Sequence, residues 1–251
     1  GVFGSARFHA ADIGIDALAQ VVPGNRLAHA LDARLGAAAE AGRVTTFRPA
    51  SLQWLEPAAD RVRLTLAGPA APTRISARLL VGADGTESTV ARLGGFDRHE
   101  YDYGQTALVG VIGASPGHRG IAYERFTAAG PIALLPVARN RRVAVLVKEG
   151  AEAEQLLARG QEAFAASVRE GFGGRLTDVH AMSSVRPWVL RRVVAEHLIA
   201  ERTVLIGNAA HTIHPNGAQG LNLGLKDVAE LAARVVEAHL RTRDPGRRQV
   251  L

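Results

Sequence analysis

The most constraining feature of the sequence is the segment at residues 202–231, RTVLIGNAAHTIHPNGAQGLNLGLKDVAEL. Its apolar start predicts a buried strand, and the glycine- and amide-rich stretch that follows predicts a tight loop. Apolar residues then recur at Leu221, Leu225 and Val228, the spacing of one helix face. A strand that leads through such a loop into a helix brings free N–H groups and the positive end of the helix dipole to the strand end, where anionic cofactors bind in α/β proteins.

A second motif, VGADGTESTVAR, occupies residues 81–92. An acidic residue at a strand end, followed by glycine, can accept hydrogen bonds from ribose hydroxyls while the backbone turns away. Asp-Gly is also a common turn, and the first segment can equally be a well-capped strand-to-helix turn. Each motif taken alone therefore leaves a structural and a functional interpretation open.

Composition narrows the classes of function. The 251 residues include no cysteine, which excludes disulfides and thiolate metal sites. His211 and His214 have no third ligand at metal spacing, so we predict no metal site. The net charge of +6 fits solvated basic faces or attraction to anionic lipid, and nucleic acid is disfavoured because no basic stretch is interleaved with aromatic residues.

Periodicity along the chain predicts α/β segments on both sides of an antiparallel sheet. Helical spacing covers 25–41, a short strand is predicted over 44–47, and residues 105–148 contain about four strand-like runs separated by turn clusters. One amphipathic helix is predicted over 152–170. This order is best explained by a β domain inserted between two halves of a nucleotide-binding domain.

The two motifs together, in this order, resemble those of the class A flavoprotein monooxygenases, the p-hydroxybenzoate hydroxylase superfamily. Within it, YERFTAAGPIALLPV at 123–137 and GNAAHTIHP at 207–215 are similar to the ubiquinone-biosynthesis hydroxylases, in particular the 2-polyprenyl-6-methoxyphenol hydroxylase branch. Asn208 stands where most of the superfamily has aspartate, and this branch often has asparagine.

The resemblance implies an α/β (α+β) fold: an FAD/NAD(P)-binding domain of the p-hydroxybenzoate hydroxylase type with an inserted antiparallel substrate-binding sheet. Residues 1–100 and 186–251 would form the FAD-binding domain, and residues 101–185 the substrate-binding domain. The family also has an N-terminal strand, G-x-G-x-x-G and helix that bind the ADP pyrophosphate, and residues 1–60 contain no match to it. We therefore expect a chain truncated at both ends that lacks this βαβ unit and binds FAD poorly.

The resemblance also implies the site residues. Arg26 would reach the FAD phosphates, Asp84 and Gly85 would contact both FAD and the nicotinamide cofactor, and Asn208 would lie along the ribityl–pyrophosphate part of FAD. The isoalloxazine ring would be lined by Pro215, Ala218, Gln219, Gly220, Leu221 and Asn222. Ala218 departs from the family, which commonly has glycine there, so its methyl group would crowd the flavin or shift the loop unless Gly217 compensates.

The implied activity is hydroxylation of a polyprenylated phenol in ubiquinone biosynthesis, with FAD, NAD(P)H and O2, through a flavin C4a-hydroperoxide. The implied location is cytoplasmic, and contact with the membrane surface is left open. Other ubiquinone-biosynthesis enzymes are left open as partners, and so is the formation of a homo-oligomer. Two alternatives stay open: another flavin oxidoreductase of the same fold, and a non-catalytic structural subunit of a ubiquinone-biosynthesis assembly.

Overall fold

The computed structural model describes residues 4–69, 72–138, 140–241 and 243–251. Within this part of the chain the α-helices are α1 Gly24–Glu40, α2 Thr89–Leu93, α3 Gly150–Ala158, α4 Gln161–Phe172 and α5 Gly220–Leu240. The strands are β1 Ser51–Pro57, β2 Val62–Ala67, β3 Thr73–Ala77, β4 Leu80–Gly82, β5 Arg98–Ser115, β6 Tyr123–Thr127, β7 Gly130–Pro136, β8 Arg141–Glu149, β9 Thr177–Ala181, β10 Arg186–Ala195, β11 Ile199–Ala200, β12 Thr203–Leu205 and β13 His211–Thr212.

The chain divides into two compact units. One contains Gly1–Thr45 and Ala107–Trp188, and the other contains Thr46–Thr106 and Val189–Leu251. Strand β5 contributes residues to both units. The cofactor-binding and substrate-binding roles assigned to 1–100 with 186–251 and to 101–185 stay predictions.

The first unit contains antiparallel strands in the order β5-β8-β7-β6, and β9 pairs with the end of β5 at Ile112, Gly113 and Ser115. Alternate residues of β7 and β8 are fully buried, among them Leu134 and Leu146, because one face of the sheet packs on α3 and α4. Phe164 of α4 lies in the same core cluster. The four strands predicted over residues 105–148 are thus confirmed.

The second unit contains the antiparallel meander β1-β2-β3 and a small sheet with strand order β11-β12-β4. Strands β4 and β12 are parallel and neighbours, although more than a hundred residues separate them along the chain. The core beside them includes Val90, Leu205 and Ala209. The predicted strand–loop–helix segment is confirmed as β12, a loop with two short 3₁₀ turns, and α5.

Two predicted elements are wrong. The single helix over 152–170 is two helices, because Gly160 has φ 85° and ψ −178°, a conformation that no helix contains. Residues 44–47 form no strand in the described part of the chain, where no neighbouring strand pairs with them. A run of four apolar or β-branched residues cannot form a strand without such a partner.

Among the residues described, no helix combines the length and the apolar character that crossing a bilayer requires.

Candidate functional site

The loops of both sequence motifs begin where a strand of the same parallel pair ends. Leu80, Val81 and Gly82 of β4 align with Thr203, Val204 and Leu205 of β12, and the N–H of Ile206 donates to the carbonyl of Gly82 at 2.9 Å. The loops that follow therefore leave the sheet at the same edge. Ligands of α/β sheets bind outside the carboxyl ends of such strands, so this edge is the candidate site.

A pair of threonines connects the two loops. The hydroxyl oxygens of Thr86 and Thr212 are 2.8 Å apart, and the Thr212 hydroxyl donates to the carbonyl of Asn208 at 3.1 Å. A hydroxyl has one proton, so Thr86 is the donor to Thr212. The link holds the loop after β4 against the backbone of Asn208.

Asp84 organises its own loop. One carboxylate oxygen accepts from the Ser88 hydroxyl at 2.5 Å, and the other accepts from the N–H of Val90 at 3.1 Å. Ser88 in turn caps α2 by accepting from the N–H of Ala91 at 2.9 Å. Asp84 thus shapes the turn, and the contacts with FAD and the nicotinamide cofactor that the resemblance implies for it stay a prediction.

Gly85 completes that turn. Its φ of 83° lies in the left-handed region, and a Cβ added there would meet no atom within 4 Å. The absence of a side chain is therefore required by the backbone conformation, and it leaves open space next to the carboxyl end of β4. A ligand can approach the backbone at this point.

The loop after β12 lies directly on helix α5. Gly207 has φ 58°, and a Cβ added at Gly224 would lie 3.4 Å from the Cα of Gly207. Both positions lack side chains where the two backbones come closest. This contact fixes the loop against the helix within its first two turns.

Asp227 reinforces the same contact with hydrogen bonds. Its Oδ2 atom accepts from the N–H of Gly207 at 2.8 Å and from Nε2 of His211 at 2.7 Å. The sequence analysis did not single out Asp227, although an acidic residue inside the glycine-rich start of α5 is a signal that could have found it. His211, considered above as a metal ligand, instead pairs with this carboxylate.

The loop at residues 215–219 leads into α5 through two left-handed residues. Gly217 has φ 73° and Ala218 has φ 51°. The Gln219 amide donates to the carbonyl of Gly217 at 3.1 Å, and the Asn222 amide donates to the carbonyl of Ala218 at 3.2 Å. Gly217 thus shares the left-handed turn with Ala218, which takes a conformation that glycine adopts more easily.

The N-terminus of α5 presents its first N–H groups at this loop. The first hydrogen bond of the helix joins the N–H of Leu223 to the carbonyl of Gln219 at 2.9 Å, which leaves the N–H groups of Gly220, Leu221 and Asn222 ahead of it. Leu221 is exposed, and a Cβ at Gly220 would meet no atom within 4 Å. Free N–H groups, small residues and exposed amides are what a planar anionic ring requires of a binding surface.

The structure places all the predicted site residues except Arg26 in one unit. Arg26 lies in the first turn of α1, is exposed, and belongs to the other unit. Its predicted contact with the FAD phosphates, like the roles of the other residues, stays a prediction. The residues of the second unit nevertheless fit FAD, because both loops combine a left-handed turn with open space beside the backbone.

Comparison with known proteins decides the family. A protein-family profile described as "FAD binding domain" matches residues 18–247. The chain belongs to this FAD-binding family. This membership confirms the fold class and the resemblance to FAD-dependent monooxygenases, and it establishes FAD as the cofactor of the family.

Individual relatives agree with the family. The chain is 38% identical over 202 residues to "Ubiquinone hydroxylase UbiL" of Rhodospirillum rubrum, an alignment that covers 80% of this chain and 46% of that protein. The chain thus spans about half the length of the curated relatives it matches.

Solved structures share the fold of this FAD-binding family member. The anhydrotetracycline hydroxylase OxyS of Streptomyces rimosus is 27% identical, with a TM-score of 0.60 over 85% of this chain and 42% of that one. The flavin-dependent halogenase CmlS is 20% identical, with a TM-score of 0.66 over 83% of this chain and 39% of that one, and it supports the fold alone.

Proposed function

We propose that the protein carrying this chain is an FAD-dependent monooxygenase that hydroxylates a polyprenylated phenol in ubiquinone biosynthesis, with NAD(P)H as the reductant. The observation that carries the proposal is the 38% identity to a ubiquinone hydroxylase across most of this chain. The two loops at the carboxyl edge of β4 and β12 support it, since they fit the flavin cofactor on which such a reaction depends.

Each loop has a role in this proposal. FAD, when bound, supplies the exchange of electrons with NAD(P)H and the activation of O2. The N–H groups at Gly220–Asn222 stabilise negative charge at the edge of the isoalloxazine ring, because they lie at the positive end of the α5 dipole. The exposed amide of Asn208 donates to or accepts from a ribityl hydroxyl, and the open turn at Gly85 lets the cofactor approach the backbone.

The proposal extends to where the protein works. A polyprenylated substrate is held in a membrane, and the net charge of +6 favours the anionic surface of a bilayer. We therefore propose a cytoplasmic protein with peripheral membrane contact that works beside other enzymes of the pathway. Flotation with anionic vesicles at low salt, and its loss at high salt, would support this contact; equal recovery with neutral vesicles would count against it.

The enzymatic proposal is tested with the purified full-length protein that carries this chain, since we expect the chain alone to bind FAD poorly. We expect flavin absorbance after incubation with FAD, oxidation of NAD(P)H that a polyprenyl phenol accelerates, and a product heavier by one oxygen atom. Absence of both flavin binding and substrate-stimulated oxidation would overturn the proposal. In that case co-purification with other pathway enzymes would favour the structural-subunit alternative.

A second flavin reaction is the other candidate. The fold is shared with the halogenase CmlS, so the fold alone does not select hydroxylation. The Trp-x-Trp-x-Ile-Pro signature associated with halogenases is absent, since Trp54 and Trp188 stand alone in the sequence. The product discriminates: a halogenase adds a halogen from a supplied halide, and a hydroxylase adds oxygen whether or not halide is present.

A further inference from the structure

One carboxylate oxygen fixes both ends of the turn that contains Asn208. The Oδ2 atom of Asp227 accepts from the N–H of Gly207 at 2.8 Å and from Nε2 of His211 at 2.7 Å. These two donors lie four residues apart, and Asn208 lies between them. A single side chain on α5 thus closes the loop from the helix side.

The Asp227 carboxylate binds the loop at a residue whose backbone is in the left-handed region. Gly207 is in the left-handed region, with φ 58°, and its Cα packs on Gly224, one helical turn before Asp227. The close contact and the two hydrogen bonds therefore lie on the same face of α5. Helix and loop are held together by packing at one position and by charge-assisted hydrogen bonds at the next.

The same network leaves the side chain of Asn208 available. The backbone carbonyl of Asn208 accepts from the Thr212 hydroxyl at 3.1 Å, and the backbone N–H of the preceding Gly207 donates to Asp227. The backbone of Asn208 is thereby fixed on both sides, while the residue is exposed. The backbone that carries this amide is thus held in place before any ligand arrives, which lowers the entropic cost of binding.

We infer that Asp227 is a positioning residue of the FAD site, which holds the 207–211 turn in its binding shape through Gly207 and His211. The inference rests on the proposed function, because it assigns a role within the same site. Asp227 acts through the loop and is not placed in contact with the cofactor. The affinity for FAD and the environment of the bound flavin should both depend on Asp227.

The test is made in the full-length protein that carries this chain, and it compares Asp227→Ala and Asp227→Asn with the unsubstituted parent protein and with Glu230→Ala. Glu230 is a matched control, because it lies one turn further along α5, is exposed, and pairs only with Arg234 among the described residues. The dissociation constant for FAD is measured by flavin fluorescence, and the visible circular dichroism of the flavin is recorded at saturating FAD. Unfolding temperatures of the apo forms are measured in parallel.

We expect Asp227→Ala to weaken FAD binding about ten- to a hundredfold, as the loss of hydrogen bonds to a charged group does, and to alter the flavin dichroism at saturation. Asp227→Asn keeps an oxygen acceptor without charge and should recover most of the affinity, with about a threefold loss. Glu230→Ala should match the parent protein.

A merely structural role predicts lower apo unfolding temperatures with unchanged affinity and dichroism, and that result would overturn the inference. If Asp227→Ala does not fold, Asp227→Leu replaces it, because leucine has a similar size and no hydrogen-bond acceptor: parental affinity and dichroism in that variant reject the positioning role. Failure of the parent protein itself to bind FAD would reject the proposed function instead.

Discussion

Arg202 and Asp244 form a bidentate ion pair, in which Nη1 and Nη2 of the guanidinium donate to the two carboxylate oxygens at 3.1 and 2.5 Å. Arg202 is almost completely buried, and its remaining N–H groups donate to the backbone carbonyls of Ala58, Ala59 and Arg78. The guanidinium therefore connects four separate segments of the unit that contains the candidate site.

Arg202→Ala should destabilise the protein by about 3–5 kcal/mol, because it removes the buried guanidinium that donates to the Asp244 carboxylate and to three backbone carbonyls. The free energy of unfolding in urea measures this loss. Arg78→Ala is the matched control: Arg78 is exposed and contacts Asp244 at 3.6 Å, so its removal should cost no more than about 1 kcal/mol. Equal effects of the two substitutions would contradict the role given to Arg202.

The same pair predicts a pH dependence of stability. The hydrogen bond from Arg202 lowers the pKa of Asp244 from 3.8 to about 2. Because the folded-state pKa lies below the unfolded one, the stabilisation is fully present above about pH 4 and is lost as the pH falls through 2. The wild type should lose about 2 kcal/mol more than Asp244→Asn over this interval, and parallel unfolding curves for the two would refute the prediction.

Coupling between Thr86 and Thr212 can be measured with a double-mutant cycle. Thr86→Val and Thr212→Val each remove one partner of the 2.8 Å contact and leave the size of the side chain nearly unchanged. We expect a coupling energy of about 0.5–1.5 kcal/mol in the free energy of unfolding, as for a hydrogen bond between neutral groups. Additive effects would show that the contact contributes nothing to stability.

Ala218→Gly should stabilise the protein slightly. Alanine at φ 51° carries a conformational cost of about 1–2 kcal/mol that glycine avoids, and the greater freedom of glycine in the unfolded chain offsets part of the gain. We expect a net increase of about 0.5–1 kcal/mol in the free energy of unfolding. Gly217→Ala is the opposite test and should destabilise, because it introduces the same conflict at φ 73°.

The elements predicted best from the sequence are those in which apolar residues recur at one regular spacing. Helix α5 was recognised because Leu221, Leu225 and Val228 recur at helical spacing, and the sheet at 105–148 because apolar runs are separated by turn residues. The break at Gly160 was missed because an isolated glycine is tolerated in many helices, and only its backbone angles show that the helix ends there.

The site was predicted only in part, for a physical reason. The glycines and amides of the two loops stand out in the sequence, since their residue types reflect local backbone requirements. The hydrogen bonds from Thr86 to Thr212 and from His211 to Asp227 depend on positions 126 and 16 residues apart, which no local pattern encodes. Asp84 likewise proved to shape its turn through Ser88 and Val90, a use that its residue type alone does not distinguish from ligand binding.

The backbone contact between Gly207 and Gly224 has a consequence for engineering. A loop graft that moved only residues 207–219 into another scaffold would meet a helix with a side chain where Gly224 presents none. It would also lose the carboxylate that receives the N–H of Gly207. The smallest segment of this site that can be transferred to another scaffold is therefore the loop together with the first two turns of its helix. Crossovers between homologous sequences should not be placed within that segment.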